Sequence, residues 1–442
     1  MSRSNLYRSL SLLALCFLSP AAFAAGNPEL GGIPLDFFLF GATLLGVALF
    51  HHYTLQVALT GLASVTLYKL IFTGFKTGAG LMGLVLHLEH EWVTLANLLC
   101  LLMGFALLAR HFEKSHIPVV LPKYLPDDWK GGFMLLVMVY VLSGFLDNIA
   151  AALIGGAMAH QLFKAKVHVG YLAAIVAASN AGGAGSVVGD TTTTMMWIDG
   201  ISPLDVLHAY LPSFVALLIV AYFGSKQQHA YSPIIKNANQ HTKIDWARVA
   251  IVGLILVLAM GTNIVVNTSF PEVSDSFPFL GAAVWVALLL TIKVRRHDWE
   301  LIPESFKGSI FLLSLVLIAS MMPVEALPPA SWVTALGLGF VSSLFDNIPL
   351  TALALRQGGF DWGMLAYCVG FGGSMLWFGS SAGVALSSMY PEARSASNWL
   401  RQGWHVPVAY VAGFAVMLAV LGWHPHPPHK NVDPQTEQSQ QH

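Results

Sequence analysis

Two Asp-Asn pairs interrupt long apolar runs of this chain, Asp147-Asn148 and Asp346-Asn347. A third acid, Asp190, closes the stretch Ser179-Asn180-Ala181-Gly182-Gly183-Ala184-Gly185-Ser186-Val187-Val188-Gly189-Asp190, which runs on into Thr191 to Thr194. A charged carboxylate inside an apolar run costs a few kcal/mol even on lenient insertion scales and marks an ion or proton pathway. No Lys or Arg lies near these three acids in their runs, so each is expected to hold a proton or a cation. Carboxylate, amide and hydroxyl oxygens are hard ligands suited to a small hard cation. Asn148, Asn180, Ser186 and Thr191 supply such oxygens beside Asp147 and Asp190. Thr192 to Thr194 are expected to bond back to helix carbonyls.

The matching stretch later in the chain is Gly370-Phe371-Gly372-Gly373-Ser374-Met375-Leu376-Trp377-Phe378-Gly379-Ser380-Ser381-Ala382-Gly383. Ser380 stands there in place of Asp190, so the first half is expected to hold the principal ion site. Asp346, Asn347, Ser374 and Ser380 then close the site or carry a proton.

These residues must be positioned by membrane helices. Of 442 residues, 55% are hydrophobic and 10% charged, against about 25% charged in a soluble domain. That composition and a net charge of −1 argue against a cytosolic enzyme, a nucleic-acid binder and a disordered chain. Residues 1–24 read as a signal peptide, with Arg3 and Arg8 before a short apolar stretch and Ala22-Phe23-Ala24 as the cleavage site. Cys16 falls in that leader, while Cys100 and Cys368 lie in apolar runs and read as core residues.

Twelve apolar segments follow, at 35–50, 53–73, 92–109, 131–163, 168–198, 204–224, 249–266, 278–293, 309–323, 331–356, 362–390 and 403–423. Segments 131–163 and 331–356 carry the Asp-Asn pairs mid-run and read as re-entrant hairpins. Segment 168–198 reads as a broken helix, because four glycines in eight residues oppose a continuous helix, and 362–390 carries the matching break. With the hairpins entering and leaving on one side, 16 of the 20 basic residues after the leader fall on the cytoplasmic side, as the positive-inside rule demands.

The fold class expected is therefore an all-α polytopic membrane protein built on an inverted-topology repeat. Each half has five crossings and one hairpin, with broken helices at the midplane. The first repeat is 25–224, the linker 225–248, the second repeat 249–423 and a disordered tail 424–442. Asp147 and Asp346 lie 199 residues apart, and Gly182, Gly183 and Gly189 lie 190 residues before Gly372, Gly373 and Gly379. Such repeats belong to secondary transporters. Outside the acid-bearing runs, Arg356 is expected to pair with Asp361, and Glu325 to sit at the membrane interface.

The motif S-N-A-G-G-x-x-S-x-x-G-D-x-T-T at 179–193, with G-G-S-M-L-x-x-G-S-x-A-G-V at 372–384 and the paired Asp-Asn hairpins, resembles the NhaD-type sodium/proton antiporters of the ion transporter superfamily. Arsenite pumps and citrate or dicarboxylate carriers share that superfamily. The resemblance implies exchange of Na⁺ or Li⁺ for H⁺, and the leader implies a bacterial inner membrane with the mature N-terminus periplasmic. The resemblance further implies a homodimer working by an elevator motion. It points to Asp147, Asn148, Asn180, Asp190, Thr191, Asp346, Asn347, Ser374 and Ser380, with Na⁺ at Asp147, Asn148, Asn180 and Asp190. Partners are small inorganic cations and the bilayer, with no cofactor and no nucleic acid. Ala150 and Ala151 depart from the hydroxyl residues expected there, and Val187 from a proline.

The alternative is a sodium-coupled carrier of citrate or another organic anion, which would need a deep Arg or a free helix N-terminus. An intramembrane aspartyl protease would need glycine at Val187 and leaves Asp346 unexplained.

Overall fold

The computed structural model describes residues 28–426 except 51–52, 121–123, 188, 235–242, 271–272 and 274–275. The leader 1–24, residues 235–242 of the linker and the tail beyond 426 lie outside the described residues, as do His51 and His52. After a short antiparallel pair, Glu29–Leu30 with Ile33–Pro34, the described chain is helical.

Six helices form one group: α1 (Leu35–Leu49), α2 (Thr54–Tyr68), α3 (Gly80–Lys114), α9 (Trp246–Ser269), α10 (Phe279–Thr291) and α11 (Ile302–Ser320). Here α3 packs on α9, α10 and α11, and α11 also packs on α2. The second group holds α4 (Trp129–Ser143), α5 (Asn148–Leu162), α6 (Val169–Ala184), α7 (Thr191–Ile198) and α8 (Tyr210–Tyr231). It continues with α12 (Trp332–Ser342), α13 (Asn347–Gln357), α14 (Trp362–Gly372), α15 (Ser381–Met389), α16 (Ala396–Gln402) and α17 (His405–Val420). Its centre is α6, whose sixteen residues are all buried, and α14, whose eleven are as well. The two groups meet along a seam where α11 lies on α13 and α3 touches α5 and α7.

By length and composition, four described helices suffice to cross a bilayer, or five with the pair α16–α17, which bends by 60°. Several other apolar helices are short because the sequence breaks their runs in two. The run 131–163 divides into α4 and α5, packed against each other around Gly144 to Asp147. The run 168–198 divides into α6 and α7, 331–356 into α12 and α13, and 362–390 into α14 and α15.

The helix α3 is longer than its apolar run. It has 35 residues, about 52 Å at 1.5 Å per residue, against a hydrocarbon core of about 30 Å. Its first turns carry His87, Glu89, His90 and Glu91, which hid them from hydropathy. Burial of acids is also wider than the sequence suggested, since Asp36 and Glu91 are 1% and 2% exposed. Each has a base: Lys69 Nζ lies 2.8 Å from Asp36 Oδ1, and Arg356 pairs with Glu91. The expected Arg356–Asp361 pair therefore does not form. Asp361 instead accepts from the backbone N–H groups of Met364 and His424, which ties down the chain end after α17. Glu325 is exposed and pairs with Lys76 at 2.6 Å.

A polar clasp joins the C-terminal end of α3 to the start of α9 and the loop before α11. Arg295 donates to both oxygens of Asp245, at 2.9 and 3.2 Å. Asp298 accepts from Lys114 at 2.7 Å and pairs with Arg110. Hydrogen bonds from Arg295 hold the Asp245 carboxyl below its usual value. Partial burial pushes Asp298 up, but Lys114 and Arg110 outweigh it and hold the group low. Between these pairs, His297 Nε2 donates to Leu288 O, so its Nδ1 accepts from His111 Nε2, and His111 Nδ1 accepts from Arg248.

Candidate functional site

Each break puts a polar residue at a helix N-terminus. Asp147 caps α5 by accepting from Ile149 N at 3.0 Å. Asp190 caps α7 through Thr192 N at 3.2 Å, and Asp346 caps α13 through Ile348 N at 3.1 Å. Ser380 caps α15 through Gly383 N at 3.2 Å. Capping satisfies one of the N–H groups that a helix start leaves free. The partial positive charge of each start also favours an anion by about 0.3–1 kcal/mol. Helix ends thus compensate the three carboxylates in part, a source the sequence reading had not counted. None of the described basic side chains forms an ion pair with them.

Glycine makes the breaks tight. A Cβ on Gly189 would stand 1.9 Å from Ser143 O, and one on Gly379 would stand 2.4 Å from Ser343 O. Neither glycine has positive φ, so close approach of α4 and α12 is the reason for both.

Asn180 is the polar centre. Its Nδ2 donates to Ser374 Oγ at 2.9 Å and to Ser380 Oγ at 3.2 Å. Its Oδ1 accepts from Asn148 Nδ2 at 3.1 Å, which also approaches Asp190 Oδ1 at 3.5 Å. Asn180, Ser374, Ser380, Asn148 and Asp190 are between 0% and 6% exposed. One amide therefore ties the two broken helices together at the level of the acids. Asp190 Oδ2 is buried with no hydrogen-bond partner, and lies 3.2 Å from where a Cβ on Gly370 would stand.

Asp147 and Thr191 open onto a cavity of about 320 Å³ in the seam. Its walls include Leu98, Leu101, Phe105 and Ala109 of α3 and Ser305, Ser309 and Leu312 of α11. At about 30 Å³ per molecule it has room for roughly ten waters. Ser381 also lines it and donates to Asp346 Oδ2 at 2.6 Å. Asp147 is thus the acid at the cavity, Asp190 lies buried, and Asp346 reaches the cavity through Ser381.

Ser186 sits apart from the amide centre. Its hydroxyl donates to Gly144 O at 2.7 Å and stitches the first broken helix to the α4–α5 break. Asn347 is buried with Nδ2 unpartnered. Thr193 and Thr194 bond back to Asp190 O, as expected. Thr192, expected to do the same, does not: its Oγ1 is buried without a partner. Ser381 was not singled out in the sequence, and its adjacency to Ser380 was the signal for it.

No family model matches the chain. Several curated proteins do match. The chain is similar to sodium/proton antiporters of the NhaD type. The Na(+)/H(+) antiporter NhaD of Vibrio parahaemolyticus is 25% identical over 68% of this chain and 84% of its own length. That of Alkalimonas amylolytica is 24% identical over 67% of this chain and 68% of its own. Sodium/proton antiporter 1 of Arabidopsis thaliana is 26% identical over 77% of this chain. The match spans 64% of that plant protein. These NhaD-type relatives are named as transporters rather than enzymes. The apolar helices make the present chain a multi-pass membrane protein.

Proposed function

We propose that the chain exchanges Na⁺ or Li⁺ for H⁺ across a bacterial inner membrane, with Asp147 and Asp190 alternately holding the cation and protons. The observation that carries this reading is the buried, unpartnered Oδ2 of Asp190, with no base paired to it, beside a hydrogen-bonded network of Asn148, Asn180, Ser374 and Ser380 that reaches Asp190 through Asn148 Nδ2. Asp147 takes the ion from the cavity and Thr191 lies beside it. Two carboxylates that share a site titrate as a coupled unit. A cation arriving at Asp147 and Asp190 therefore releases protons, and protons arriving from the other side release the cation.

An inverted repeat of residues 25–224 and 249–423 underlies the exchange. Gly189 and Gly379 against Ser143 and Ser343 support it, as do the cap positions of Asp147 and Asp346. In this reading the second helix group shifts against the first as an elevator, within a homodimer whose mature N-terminus is periplasmic. An organic anion fits less well, because the protein's own carboxylates already cap three of the four helix N-termini.

The test uses everted vesicles energised to an acid interior. Added NaCl or LiCl should collapse the gradient, while sodium citrate adds nothing beyond its sodium. Inserted Asp147→Asn should give no response. A normal response from that variant removes Asp147 from the mechanism.

A further inference from the structure

The seam between the two helix groups is open at one end and closed at the other. From the clasp end, α3 lines the cavity from Ala109 back to Leu98. Beyond Leu98 the seam fills. Leu98 and Leu315 of the first group pack in one buried cluster with Met195 of α7 and with Ile348, Ala352 and Leu353 of α13. Seven residues before Leu98, about 10 Å along the helix, stands Glu91. Arg356, at the far end of α13, pairs with it. Among the described residues this is the one ion pair that crosses the seam.

The two partners are unequal. Glu91 is 2% exposed, whereas the Arg356 side chain is 21% exposed. A carboxylate this deep requires a partner, since an unpaired buried charge is far costlier than a paired one. The α13 helix that carries Arg356 begins at Asp346 and Asn347, so the pair sits on a rigid arm leading straight from the site.

We infer that Glu91 and Arg356 form the latch that holds the far side of the seam closed while the cavity is open. Any shift of α7 and α13 along α3 that exposes the acids to the far side must separate this pair. Separation strands Glu91 inside α3, whereas Arg356 reaches water. The pair therefore favours the conformation described here, and it is a positioning pair that does not touch the ion. The inference rests on the two-group motion proposed above.

The test reads conformation and not exchange, so failure of the latch and failure of the antiport reading are separate results. Cys16, Cys100 and Cys368 are replaced by Ser, and Ala150→Cys is placed on the cavity wall. A membrane-impermeant maleimide is then applied from each side of the membrane. Arg356→Gln should slow labelling from the cavity side about fivefold, with Glu91→Gln slowing it less, as a shift of population requires. The exchanged pair, Glu91→Arg with Arg356→Glu, should restore the rate to within about twofold. If Arg356→Gln does not fold, Arg356→Lys keeps the charge and should slow labelling by an intermediate amount. Unchanged cavity-side labelling in a folded Arg356 variant overturns the latch, as does failure of the exchanged pair to restore the rate.

Discussion

Removing the Asn180 side chain should uncouple the two broken helices. Asn180→Ala deletes two donated bonds, to Ser374 and Ser380, and one accepted from Asn148. All four residues are buried; Ser374 Oγ loses its partner, whereas Ser380 keeps Gly383 N and Asn148 keeps only its long contact with Asp190. Side-chain hydrogen bonds between membrane helices average about 0.6 kcal/mol, which puts the loss near 2 kcal/mol. Full desolvation of each orphaned group would instead cost about 1–3 kcal/mol. The lower figure applies if water enters from the cavity. At 1.4 kcal/mol per tenfold, 2 kcal/mol corresponds to about thirtyfold in an equilibrium constant. The variant should therefore show a lower unfolding midpoint in detergent and an apparent Na⁺ affinity weakened roughly thirtyfold. Asn180→Asp keeps the acceptor for Asn148, and its second oxygen can accept from the Ser374 and Ser380 hydroxyls with the donor direction reversed, so it should be milder than Asn180→Ala. Wild-type stability together with wild-type Na⁺ response in Asn180→Ala would refute the argument that this amide organises the site.

Other expectations follow from the same geometry. Gly370→Ala places a methyl 3.2 Å from Asp190 Oδ2, so Na⁺ affinity should fall about tenfold while the fold persists, read from the Na⁺ dependence of the dye response. Gly189→Ala drives its methyl into Ser143 O and should abolish stable expression, whereas Gly253→Ala, in open space, should not. At the clasp, Asp298 is held below its usual value, so its contribution to stability is present above the unfolded carboxyl range and is lost as pH falls through the folded value. Asp298→Asn should lower the unfolding midpoint at pH 7, and the gap to wild type should close below about pH 4. An equal gap at both pH values would mean that the charge of Asp298 is not what joins Lys114 and Arg110.

The acids were legible because a charge inside an apolar run has few reasons to exist. Asp147, Asp190 and Asp346 were found that way, and the breaks around them were visible in their glycines. What joins these features was not legible. Asn180 meets Ser374 and Ser380 across 194 and 200 residues, and no local pattern encodes that contact. The same holds for Glu91 and Arg356, 265 residues apart. Sequence proximity suggested Asp361 for Arg356, but Asp361 is needed to cap α14. The first turns of α3 were missed because hydropathy discounts His87, Glu89, His90 and Glu91, although helices continue through charged residues that find partners. The cap role of the carboxylates was hidden as well, because a cap is recognisable only once the helix start is fixed.

The most direct test of the central claim is exchange by the purified protein in proteoliposomes, comparing wild type with Asp190→Asn. Sodium or lithium added to the wild type should drive proton release that potassium and citrate do not reproduce. Folded Asp190→Asn should give none. Equal exchange by both proteins, or no cation response from the wild type between about pH 6 and 9.5, would contradict cation and proton competition at the buried carboxylates.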